Sequence, residues 1–152
     1  MFPFILFGVF FLPLIVWYIA MVRFLPRAMM PAAGLLNVEL GKSKILPICE
    51  VAGSYRGRNV WCVPYSGNRG AGYHVTMQVS GFECAKIFEE QPELKKKYFL
   101  TEDRLYSRVA NYECSGIFLS FRKLERFNQE KLGALLEDMY QNAQMLEQKA
   151  GE

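Results

Sequence analysis

His74 is the single histidine of this 152-residue chain, and it sits in the alternating run His74-Val75-Thr76-Met77-Gln78-Val79-Ser80. Imidazole chemistry needs a nucleophile and an orienting acid in contact with it, and no spacing in the sequence supplies them. The period of two places His74 on the polar side of a half-buried strand with Thr76 and Gln78, so it reads as an exposed strand residue. Four cysteines, Cys49, Cys62, Cys84 and Cys114, are scattered without a C-x-x-C pair or a neighbouring histidine. That spacing makes a zinc or redox-pair motif a poor reading and fits free thiols in a reducing compartment better than two disulfides. Glu102 and Asp103 lack a metal-ligand spacing and, following Thr101, read as the cap and first turn of a short helix through Ser107. The expectation is therefore no catalytic set, no cofactor and no metal, and hence no enzyme.

Two further groups could bind. Gly67-Asn68-Arg69-Gly70-Ala71-Gly72 offers backbone that can approach a phosphate, but it leads into a strand and lacks the Lys-Ser/Thr ending of a P-loop, so a hairpin connection is expected. Arg56, Arg58, Arg69 and Lys95, Lys96 and Lys97 are candidates for contact with a partner or an anionic lipid. The alternative is an ordinary solvated surface. The chain holds 18 basic and 15 acidic residues, a net +3 that falls short of a nucleic-acid footprint, so no nucleic acid is expected as a partner.

What must position these groups starts with the apolar run Met1–Val22, which contains no charged residue. At about 1.5 Å per residue a helix of this length crosses a hydrocarbon core of roughly 30 Å. No basic residue precedes the run and the one small-residue cleavage candidate, Pro31-Ala32-Ala33-Gly34, lies beyond Arg23 and Arg27, so an uncleaved anchor is expected rather than a signal peptide. Trp17 and Tyr18, followed by Arg23 and Arg27, make the aromatic and basic pair of a membrane interface. The positive charge after the run places the rest of the chain inside, giving a single-pass protein with its amino end out and its carboxyl end in.

Three parts are expected: a transmembrane helix over 1–22, an interfacial connector over 23–44 broken by Pro26, Pro31, Gly34 and Gly41, and an extramembrane domain over 45–152. Within the domain, Val51–Tyr55 pairs with Asn59–Val63 through Arg56-Gly57-Arg58, His74–Ser80 follows, and Ile117–Phe121 forms another strand. Glu89 to Lys97 reads as an exposed loop or a short helix starting near Pro92. Leu132, Leu135, Leu136, Met139, Ala143 and Leu146 share one face of a helix from about Gln129 to Lys149, with Glu137, Asp138 and Glu147 largely away from it. The fold class is α+β, a small antiparallel sheet packed with a carboxyl-terminal amphipathic helix.

The segment Gly53-Ser54-Tyr55-Arg56-Gly57-Arg58-Asn59-Val60, together with Tyr98-Phe99-Leu100-Thr101-Glu102-Asp103, resembles uncharacterised bacterial membrane-anchored proteins that carry a G-x-Y-x-G-R-x-V strand pair. The resemblance spans Val51 to Glu147 and implies a small membrane-associated α+β module of unknown role; the expected location is a bacterial inner membrane. The leading expectation is a non-enzymatic accessory or assembly subunit of a larger membrane protein complex. Its partners would be integral membrane proteins and the lipid bilayer, with Gly8, Ala20 and six phenylalanines among the first 24 residues shaping the helix surface. The alternative is a membrane-anchored adaptor that binds a soluble partner, an anionic lipid or a small ligand.

Overall fold

The computed structural model describes residues 2–38, 50–67, 70–80, 83–101, 103–111 and 129–151. Its elements run α1 (Phe2–Leu35), β1 (Val51–Tyr55), β2 (Arg58–Gly67), β3 (Gly70–Gln78), α2 (Cys84–Glu89), α3 (Pro92–Lys97), β4 (Phe99–Thr101), β5 (Arg104–Asn111) and α4 (Gln129–Ala150). The five strands form one antiparallel sheet in the order β1-β2-β3-β5-β4. The chain is α+β, as its pattern predicts.

α1 continues as helix past Val22 into the segment expected to be an irregular connector. The helix continues through Pro26 and Pro31 to Leu35, so the segment read as an irregular connector is helical over its first half. Each proline removes one backbone donor, but Met29, Ala32, Ala33 and Leu36 recur at i, i+3, i+4 and i+7 and bury one stripe against the sheet and α4. That burial outweighs two lost hydrogen bonds. The stop comes at Asn37, whose φ of 52° turns the chain left-handed while the Val38 N–H donates to the Ala33 carbonyl at 3.0 Å. This is a Schellman-type end. The remainder of the expected connector, including Gly41, Lys42 and Lys44, lies outside the described residues.

The core lies between one face of the sheet and the helices. Val51, Val60, Cys62, Tyr73, Val75, Met77 and Leu105 face inward and meet Leu132, Leu136, Met139, Ala143 and Leu146, all nearly or wholly buried. β1 approaches the end of α1 so closely that a Cβ on Gly53 would lie 2.5 Å from Val38 Cγ2 and 2.8 Å from Leu36 Cβ. Only glycine fits there.

The β1–β2 turn is tighter than the spacing implies: Tyr55 pairs with Arg58, leaving Arg56 (φ 50°) and Gly57 (φ 83°) as the two central residues. Two successive positive φ values are what a type I′ hairpin requires. The helix expected from Thr101 to Ser107 is absent. Thr101 pairs with Arg104 in a β4–β5 hairpin, and Leu105 is buried between Arg104 and Tyr106, which alternate away from the core. Acidic residues after a threonine suit a turn as well as a helix start, and the period of two decided between them. The expected strand Ile117–Phe121 lies outside the described residues, as do Cys49, Cys114 and Glu102.

Candidate functional site

α1 leaves the head as an exposed apolar rod. Phe11 to Ile19 are nine consecutive exposed residues, and Leu12, Leu14, Ile15 and Val16 each show more than half of their surface (65%, 58%, 53% and 52%). Nine residues make two and a half helical turns, so the exposure encircles the helix rather than forming a stripe. Burying the eight large apolar side chains in that run, each about half exposed, is worth on the order of 1 kcal/mol apiece, roughly 8 kcal/mol in all. An exposed apolar surface of this size marks a contact surface, with protein or with lipid. Trp17, Tyr18 and, five residues on, Arg23 are exposed as the helix approaches the head; Arg27 lies in α1 as well. The run with described side chains is shorter than a span: among the described residues no helix is long and apolar enough to cross a membrane. The expectation of a span rests on the whole uncharged stretch Met1–Val22.

The described basic candidates do not gather into one patch; each reaches a carboxylate of this chain. Arg58 forms a bidentate pair with Glu147, both contacts at 2.5 Å, and also donates to the Gln78 carbonyl at 3.3 Å. The same carboxylate accepts the Ser80 N–H at 2.6 Å. Arg56 binds Glu137 at 3.0 Å, Lys96 binds Glu93 at 2.6 Å, Lys95 binds Glu89, and Lys97 lies 3.7 Å from Asp138. Arg69 lies outside the described residues. Gly70 and Gly72 belong to β3, opposite Gly67 and Tyr65, so most of the glycine segment is ladder rather than open loop.

These contacts build a seam between the β1–β2 hairpin and α4. The Tyr140 ring lies beneath both guanidinium groups, 5.2 Å from Arg56 and 5.5 Å from Arg58, and meets Tyr55 edge-on at 6.4 Å. Tyr55 donates its hydroxyl to Glu137 at 3.0 Å, and Tyr98 donates its own to Asp138. The Arg58 hydrogen bonds hold the Glu147 carboxyl below its ordinary value, while Glu147 holds the Arg58 guanidinium above its own. Burial, reinforced by their carboxylate partners, raises the hydroxyls of Tyr55 and Tyr98. The sequence reading set Glu137, Asp138 and Glu147 largely away from the apolar face; they flank that face and are half-buried where they clasp the head. Their signal was position beside the stripe, one residue from Leu136, Met139 or Leu146.

His74 is exposed on β3, opposite Val63 and Arg108, on the outward face of the sheet. That face carries the row Ala52, Trp61, Thr76, Tyr106 and Phe99, with Phe99 68% exposed and the Arg104 guanidinium 4.7 Å over the Trp61 ring. Among the described residues no three His, Cys, Asp or Glu side chains gather as a metal set. Cys62 and Cys84 are buried free thiols, and burial pushes the Cys62 thiol up to about 12. A thiol held so high is a packing group rather than a nucleophile. No protein-family model matches the chain, and no curated protein or solved structure does either.

Proposed function

We propose that this chain is a non-enzymatic, single-pass accessory subunit of a larger membrane protein complex, with α1 seated in the bilayer among partner helices and the α+β head capping them on the cytoplasmic side. The observation that carries this reading is the ring of exposed apolar side chains from Phe11 to Ile19, set within a sequence that bears no charge before Arg23. Lipid and helices satisfy such a surface from all directions, as no single groove on a water-soluble partner does. The adaptor reading leaned on the glycine segment and the basic residues, and has less support where those glycines are strand and the described cations are bound to the chain's own carboxylates.

The test is quantitative copurification of the tagged full chain from membranes in mild detergent, beside the double variant Leu12→Arg and Ile15→Arg. Each buried charge costs about 2.5–3.5 kcal/mol at the centre of a membrane helix. The natural chain is expected to resist alkaline carbonate extraction and to carry a partner in fixed stoichiometry, and the double variant to lose both properties. A natural chain released by carbonate, or one without a stoichiometric partner, contradicts the proposal.

A further inference from the structure

We infer that the head is held rigidly against the headgroup layer by α1 itself, as one unbroken strut rather than a domain on a tether. The helix runs without a break from Phe2 to Leu35, and its last turns are part of the head's core. Met29 and Ala32 are fully buried, Ala33 and Leu36 nearly so, and the Schellman end at Asn37 locks Val38 over Gly53 with no room for a single added carbon. Leu35 packs toward α4, where a Cβ on Gly133 would lie 3.7 Å from Leu35 Cδ2. The strut is thus fixed on two sides, by β1 and by α4. A helix entering a core this way transmits its orientation to the whole head, since packed interiors do not flex independently of their parts.

The standoff follows from helix geometry. Between Val22, the last residue of the uncharged run, and Met29, the first residue buried in the head, lie seven helical steps, about 10 Å at 1.5 Å each. That is little more than one headgroup layer, roughly 5–8 Å thick, and leaves no slack for a mobile linker. Such a head is placed to meet an integral protein of the same bilayer at its juxtamembrane surface, the partner class proposed above. This holds only with α1 in lipid as proposed above, and the experiment separates the two.

The full chain, with Cys49→Ser and Cys114→Ser, is reconstituted in phosphatidylcholine nanodiscs with spin labels at Ile19→Cys and Gln148→Cys, both exposed positions, the natural Cys62 and Cys84 being buried. A parallel sample with Trp61→Phe leaves Trp17 as the one tryptophan and reports lipid depth by quenching from doxyl groups on the acyl chains. The expected results are Trp17 quenching stronger from a doxyl at carbon 5 than at carbon 12, and a single narrow Ile19–Gln148 distance distribution. Insertion of Gly-Gly after Arg27 is expected to broaden that distribution at least twofold while leaving the quenching unchanged. Strong quenching with a natural distribution as broad as that of the insertion overturns the strut and spares the membrane anchor. No quenching of Trp17 overturns both.

Discussion

Glu147→Ala removes the acceptor of both Arg58 N–H contacts and of the Ser80 amide in one step. The Arg58 guanidinium would keep the long bond to the Gln78 carbonyl and the face of Tyr140. Breaking a fully buried pair by removing one partner costs about 3–5 kcal/mol. Here the Arg58 and Glu147 side chains retain 14% and 23% of their exposure, so water partly compensates and the low end applies, about 2–3 kcal/mol. For a head of roughly 100 residues that lowers the melting temperature by about 10–15 °C. Lys96→Ala is the control, because its pair with Glu93 is exposed on both sides (69% and 80%) and contributes about 0–0.5 kcal/mol. Near-ultraviolet circular dichroism of the full chain in mild detergent follows the unfolding. The sign with pH is set by the depressed carboxyl: Glu147 titrates below 4.5 in the fold, so its stabilisation is present above pH 4.5 and disappears as pH falls through the lower folded value. The gap between the natural chain and Glu147→Gln should therefore be constant above the ordinary carboxyl range and close as pH falls below 4.5. An alanine variant no less stable than the Lys96 control, or a gap to Glu147→Gln that ignores pH, refutes the reasoning.

Other outcomes follow from the same contacts. Gly53→Ala forces Val38 and Leu36 aside and is expected to destabilise the head by about 1–3 kcal/mol in denaturant titration. Leu136→Ala opens a cavity at a fully buried position and should cost about 2–5 kcal/mol in the same assay. Cys62, with its thiol raised to about 12, should resist iodoacetamide at pH 8 in the folded chain and react once guanidinium unfolds it, as followed by mass spectrometry.

The parts of the fold legible in the sequence are those with strong periodicity. Leu132, Leu136, Met139, Ala143 and Leu146 announce α4, and the alternation of Val75 and Met77 announces β3. α2, Cys84–Glu89, is too short to show a period and was not foreseen. Pro26 and Pro31 read as helix breakers because local propensity hides the long-range burial of Met29 and Ala32 that holds α1 together. The apolar surface of α1 was plain from composition, whereas the seam was not. Nothing local to Arg56 or Arg58 says that Glu137 and Glu147, more than 80 residues away, receive them. Charge pairing across such separations is a property of the folded topology.

The claim on which the account turns is that lipid surrounds α1, and spin-label power saturation along Phe11 to Ile19, one cysteine at a time in bilayers, measures it directly. The account predicts high oxygen and low nickel-chelate accessibility at lipid-facing positions on every side of the helix, broken only where a partner helix excludes both. Nickel-chelate access recurring every three to four residues would show a face in water and contradict it.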